Sequence, residues 1–254
     1  MRTRLFAAVS ALLVLGLVPR PTIAQRNPDA PIPNQPGHWV AFAADMDNSA
    51  PQDAARPARK VLGRFYRDDT GSERIESWPE PQPIEGLTMI VISIKNIPVE
   101  RFYTYTPQTG WISQPMKLPP GRWEPRPLYA TEDERRHIEQ SEGLELYPTG
   151  PASEIRLIAP ALNGAVVARR SSSNGYQRVL QNIKIGSQSA ALFEPPPAAD
   201  VLKSGEFGGI VSFAAGEPHQ AMPGLPSDIR DLIEKRVEAF YLKYPQAKNL
   251  RPPQ

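Results

Sequence analysis

Four carboxylates fall at Asp68, Asp69, Glu73 and Glu76, inside the stretch GRFYRDDTGSERIES. Paired acids can divide proton donation and abstraction, provided that two of them face one substrate. The same residues also fit a simpler role. Asp68-Asp69-Thr70-Gly71 is a turn sequence, because Asp and Gly supply the conformations that a hairpin turn needs. On that reading the acids face water. Arg64, Arg67 and Arg74 then meet them across the hairpin as exposed ion pairs, each contributing about 1 kcal/mol or less.

Other chemistries lack their residue patterns. The histidines are His38, His137 and His219, too far apart in sequence for a ligand pair on one helix, and there is no cysteine. No metal site and no cofactor site is therefore assigned. DMDNSAPQDAAR begins like a calcium loop at Asp45, Asp47 and Ser49, but Ala50 stands where glycine is needed and Arg56 where glutamate is needed. A Gly-x-Ser-x-Gly elbow, a phosphate-binding Gly-Lys loop and a dinucleotide fingerprint are all absent from the sequence. No catalytic residue is assigned.

Aromatic residues concentrate between positions 65 and 123: Phe65, Tyr66, Trp78, Phe102, Tyr103, Tyr105, Trp111 and Trp123. Such a cluster is either one core face of a sheet or the lining of a groove for an apolar ligand. Phe65, Phe102, Tyr103, Tyr105 and Trp111 are the candidate ligand-binding residues. In RFYTYT, Tyr103 and Tyr105 share one face of a strand, and Phe102 heads the other.

The elements that position these residues are mostly strands. HWVAFAAD (His38 to Asp45) predicts a first strand, followed by a polar break. RKVLGRFYR-DDTG-SERIESW predicts a hairpin. LTMIVISIKN (Leu87 to Asn96) predicts a central strand from its β-branched content, and RFYTYTPQTGWISQPM a second hairpin. TEDERRHIEQ (Thr131 to Gln140) predicts a short polar helix opened by a Thr131–Glu134 capping box. GLELYP, SEIRLIAP and GAVVARR read as strands, SSSNG as a hairpin tip, and YQRVLQNIKIG as the last strand of a meander. Phe193 then anchors the chain before prolines end the pairing. One more strand is expected near Ile210. Ser227 is expected to cap a C-terminal helix with an apolar stripe of Ile229, Leu232, Ile233, Val237, Phe240, Tyr241 and Tyr244. The helix polar face is mixed in charge, which favours packing on the sheet over lying on a membrane.

The termini set the compartment. MRTRLFAAVSALLVLGLVPRPTIAQ has a basic start, an apolar run of 14 residues and a small-residue end, which predicts a signal peptide cleaved after Ala24. The run is short of the roughly 20 residues that span a bilayer. Removing Arg2, Arg4 and Arg20 takes Lys+Arg from 29 to 26 against 27 Asp+Glu, a formal charge of −1. That balance excludes the basic footprint of a nucleic-acid binder. The 30 prolines gather between the predicted elements. The expected organisation is a signal peptide at 1–24, a flexible Pro-rich lead-in at 25–56 and an antiparallel β domain at 57–201. A Gly/Pro-rich connection at 202–226 leads to an amphipathic helix and tail at 227–254.

GRFYRDDTGSERIES resembles the YRDSEGRTRRE hairpin of a broad group of exported bacterial proteins with no assigned activity. YTYTPQTGW resembles that group's YVLDPATRTA strand pair. The stretch from EGLELYPTG to LFEPPPAADV resembles its ending: Asn182 and Ile183 match an Asn-Ile, and Leu192, Phe193 and Pro195 match a Leu-Phe and nearby Pro. Arg156-Leu157 stand where the group has Trp-Tyr, and the C-terminal helix is additional. More remotely, the strand order is similar to that of the periplasmic carriers that sort lipoproteins to the outer membrane. The resemblance implies a curved antiparallel sheet cupping an apolar cavity. Together these readings predict a mainly β (α+β) fold, a curved antiparallel sheet or half-barrel with a short middle helix and one C-terminal amphipathic helix. The expected function is that of a periplasmic or secreted, non-enzymatic protein that binds an apolar small molecule or lipid, or a cell-envelope protein. A hydrolase with an unrecognised site and an accessory subunit docking through its C-terminal helix are the alternatives.

Overall fold

A computed structural model describes residues 30–33, 35–50, 59–116, 124–173, 175–203 and 226–249. The expected signal peptide, the strand expected near Ile210, Trp123 and His219 lie outside the described residues. Strand β1 (Ala30–Pro31) precedes a first meander of β2 (Phe42–Ala50), β3 (Arg59–Arg67), β4 (Glu73–Glu80), β5 (Val91–Asn96), β6 (Arg101–Thr106) and β7 (Gly110–Pro115). Strand β8 (Tyr129–Ala130) and helix α1 (Glu132–Arg136) lead to a second meander. It comprises β9 (Glu139–Ser141), β10 (Leu144–Thr149), β11 (Glu154–Ala159), β12 (Ala165–Ser171) and β13 (Gln177–Ile185). A 3-10 turn at Ala190–Phe193, strand β14 (Val201–Lys203) and helix α2 (Ser227–Lys243) follow.

The meanders join into one open 12-stranded sheet in the order β14-β7-β6-β5-β4-β3-β2-β13-β12-β11-β10-β9. All its pairings are antiparallel except that of β14 with β7. The fold is therefore mainly β with one prominent C-terminal helix. β1 and β8 form a separate two-stranded sheet, and Ala130 of β8 and Ile32, just after β1, pack with Tyr147.

Phe42, Leu146 and Val167 are at most 1% exposed and belong to one cluster with Phe65, Leu157, Leu162 and Leu180. α2 is not in that cluster. The sheet must therefore curl so that β2 and β3 pack against the second meander. A bulge between Leu157 and Ile158 assists, because the adjacent Val167 and Ala168 both turn inward where it breaks the alternation.

Several sequence expectations are corrected. The strand expected over His38–Asp45 is β2 and runs over Phe42–Ala50, into the supposed polar break and within the stretch assigned to a flexible lead-in. Alternation explains it: Phe42, Ala44 and Met46 are buried, and Asp45 and Ser49, at the alternate positions, are exposed. The strand expected over Leu87–Asn96 begins only at Val91, because Leu87 and Met89 divert to pack against Phe240. The middle helix ends at Arg136, and Glu139–Ser141 pairs instead with β10; its capping box is present. β13 is, as read, the last strand of its meander, and its pairing with β2 on the other side makes it an inner strand of the sheet. Pro226, not Ser227, occupies the cap position of α2, without a side-chain cap.

The β3–β4 hairpin forms as read. Asp68 Oδ1 accepts from the Thr70 and Ser72 amides at 2.9 and 2.8 Å. Gly71 has φ +83°, and a Cβ there would meet the Trp39 ring at 2.7 Å, so both conformation and space require glycine.

α2 covers the other end of the sheet. Ile233 packs on Ile112, with Ile229, Val237 and Leu202 beside them. Phe240 packs on Ile84 and Met89, with Tyr241 and Tyr244 beside it. Arg236 donates to the Thr109 carbonyl at 2.8 Å and pairs with Asp200. No helix among the described residues is long and apolar enough to cross a membrane.

Candidate functional site

Residues directly opposite one another in a sheet share a face. Tyr103 lies opposite Ile94, and Tyr105 lies opposite Ile92 on one side and Trp111 on the other. Tyr66 joins the same face through Arg74. The Tyr105 and Trp111 rings are 5.2 Å apart at 42°. The result is an aromatic surface over an aliphatic floor of Ile92 and Ile94.

The chain places its own segment on this surface. Phe193 is 2% exposed among Ile92, Ile94 and Trp111, with Leu192 and Ala199 alongside. Two side chains fasten it there: Arg74 Nη1 donates to the Leu192 carbonyl at 2.9 Å, and Asn96 Nδ2 donates to the Phe193 carbonyl at 2.9 Å. The Glu76 carboxylate orients Arg74 from 2.6 Å. Arg74 and Asn96 were not legible as site residues, because their contacts are to backbone about a hundred residues away.

Tyr103 and Tyr105 remain half-buried. The hydroxyls of Tyr66, Tyr103 and Tyr105 make no hydrogen bond to the described residues. Burial pushes the Tyr103 phenol pKa up, nearby Glu194 adds to the shift, and Arg101 opposes it. Here the face offers apolar area with neutral hydroxyls beside it, the composition of a site for an apolar or weakly polar molecule.

Three of the five candidate residues come together: Tyr103, Tyr105 and Trp111. Phe65 points to the opposite face and stacks on Phe42, with centroids 5.3 Å apart. Phe102 also faces away from the tyrosines, between Lys95 and Gln114 in register. Spacing alone separated Phe102 from the tyrosines; the side taken by Phe65 needed the pairing of β3 with β2 and β4.

The four clustered acids are dispersed. Asp68 closes its turn. Glu73 and Glu76 lie on opposite faces of β4: Glu73 pairs with Lys95 at 2.8 Å, and Glu76 with Arg74. The expectation of three exposed arginines is corrected at Arg74, whose side chain is 13% exposed in its pair with Glu76, and at Arg67, which is 2% exposed. It donates to the carbonyls of Val40 and Leu162 and lies over the Trp39 and Phe42 rings at 5.2 and 4.9 Å. Burial lowers its pKa to about 10, while Glu73 pulls it back up. Arg67 thus joins Trp39, β2 and the turn at Leu162 into one core. We expect Arg67→Met to lose about 1–3 kcal/mol in a urea melt, because two buried carbonyls lose their donor. A change below about 0.5 kcal/mol would mean that those carbonyls find other donors.

His137 Nδ1 lies 2.8 Å from the Asp133 carbonyl on α1. Asp45, of the calcium-like sequence, sits on an extended strand and accepts from Asn182 at 2.9 Å. Compared with known protein families and with characterised proteins, the chain matches none of either.

Proposed function

We propose that this is an exported, non-enzymatic protein of the periplasm or extracellular space that binds an apolar small molecule or lipid on the aromatic face of β5–β7. The observation that carries the reading is the pairing of half-buried Tyr103 and Tyr105, with hydroxyls lacking partners among the described residues, against Trp111 and an Ile92–Ile94 floor. α2 uses its apolar stripe on its own sheet, which favours ligand binding over docking through that helix.

Native mass spectrometry of protein isolated from its own envelope tests the proposal. A reproducible lipid or apolar adduct is expected, on a chain whose first residue is Gln25. Tyr105→Asp, which places a charge on the face, should remove the adduct and the binding of an apolar fluorescent probe. Wild-type protein that carries no adduct and does not bind the probe would overturn the reading.

A further inference from the structure

A second feature lies on the opposite face of the sheet, in its other half. Arg156 is directly opposite Arg169, Arg169 opposite Arg178, and Arg178 opposite Asn48. Three guanidinium groups and one amide therefore form a transverse row across β11, β12, β13 and β2. Among the described residues, one carboxylate is ion-paired with the row and serves two of the guanidinium groups. Glu154 binds Arg156 at 2.7 Å and Arg169 at 2.6 Å, and both hold its pKa below the usual carboxylate range.

Arg178 has no such partner. It is half-buried, and among the described residues it makes no hydrogen bond or ion pair. Its Nε is buried without an acceptor, as is the Nε of Arg169. Burial lowers the Arg178 pKa and neighbouring Arg169 adds to that; Tyr176 and Glu73 act in the other direction. Glu73 is itself held by Lys95 at 2.8 Å. Asn48 adds another donor: its Oδ1 accepts from the Tyr176 hydroxyl at 3.1 Å, and its Nδ2 has no partner among the described residues. The row thus presents donors without acceptors. A half-buried guanidinium that lacks acceptors is destabilising, and its planar fork matches the two oxygens of a carboxylate or phosphate.

We propose that Arg178 and Asn48, flanked by Arg169, form a binding site for an oxyanion, either a carboxylate or a phosphate group. The Nη atoms of Arg178 and the Nδ2 of Asn48 are its donors. The site is separate from the aromatic face, so either can fail without the other.

Thermal melts and titration calorimetry with inorganic phosphate and with decanoate, against chloride at equal ionic strength, test it. At least one probe should bind saturably and raise the melting temperature. Phosphate alone would place a soluble oxyanion in the site; decanoate alone would place the head group of an amphiphile there. Arg178→Met should weaken binding at least tenfold, whereas Arg136→Met on exposed α1 should not. Asn48→Asp supplies a carboxylate beside Arg178 from within the chain. It should raise the melting temperature without ligand and abolish the shift with ligand, which decides the matter even if Arg178→Met fails to fold. Tyr105→Asp should leave phosphate binding intact. Failure of both probes to bind, or wild-type binding by both Arg178→Met and Asn48→Asp, would overturn the proposal.

Discussion

Replacing Phe193 with alanine is expected to destabilise the protein by about 3–5 kcal/mol, the range for truncating a buried phenylalanine. The side chain is 2% exposed and fills the space between Ile92, Ile94 and Trp111. Its neighbours belong to regular strands and cannot collapse far into the void. The fastening bonds from Arg74 and Asn96 go to backbone carbonyls, so the substitution leaves their acceptors in place. The loss should consequently come from packing alone, and Phe193→Leu should recover most of it, remaining within about 1.5 kcal/mol of wild type. Urea melts of both variants measure this. A loss below about 1 kcal/mol for Phe193→Ala would show that the 190–193 segment is not seated on the aromatic face in solution.

Deleting residues 227–254 is the second large effect expected. α2 buries Ile233 and Phe240 against Ile112, Ile84 and Met89. Burying two such side chains contributes about 3–6 kcal/mol before the entropy of ordering the helix is subtracted. At about 2–4 °C per kcal/mol, the melting temperature should fall by roughly 6–24 °C at most. Exposed Ile112 and Met89 should also promote aggregation. The double substitution Ile233→Ala with Phe240→Ala should reproduce most of the fall without removing chain. A truncated protein whose melt overlays that of the full chain would mean that α2 is not part of the folded core, and would bring docking through this helix to the front.

The two outcomes bear differently on function. Phe193 and α2 lie on opposite faces of β5–β7, so one variant opens the aromatic face and the other leaves it intact. A ligand held by Tyr103 and Tyr105 should survive loss of α2, where the fold survives, and change on loss of Phe193.

The sequence alone determined the local elements whose rules are short-range. The Asp68–Gly71 turn, the Thr131–Glu134 capping box, most strands of both meanders and the inward Ile233 and Phe240 of α2 were legible, because each depends on residues within a few positions of one another; Leu232, expected in the same stripe, is instead 42% exposed. Phe193 was legible as an anchor for the same reason, as an isolated large apolar residue before a proline run. The tertiary structure decided what the strands do with their faces. Pairing of β13 with β2 drew Phe42–Ala50 into the middle of the sheet, because a strand with partners on both sides tolerates Asp45 and Ser49 on its outer face. Curling of the sheet buried Arg67 beneath Trp39, where the local pattern of acids and arginines predicts an exposed ion pair. It also set Phe65 against Phe42 and away from Tyr103, Tyr105 and Trp111. Alternation assigns side chains to two faces of each strand, but only register across strands says which faces join; that register is fixed by contacts over a hundred residues apart, such as Arg178 with Asn48.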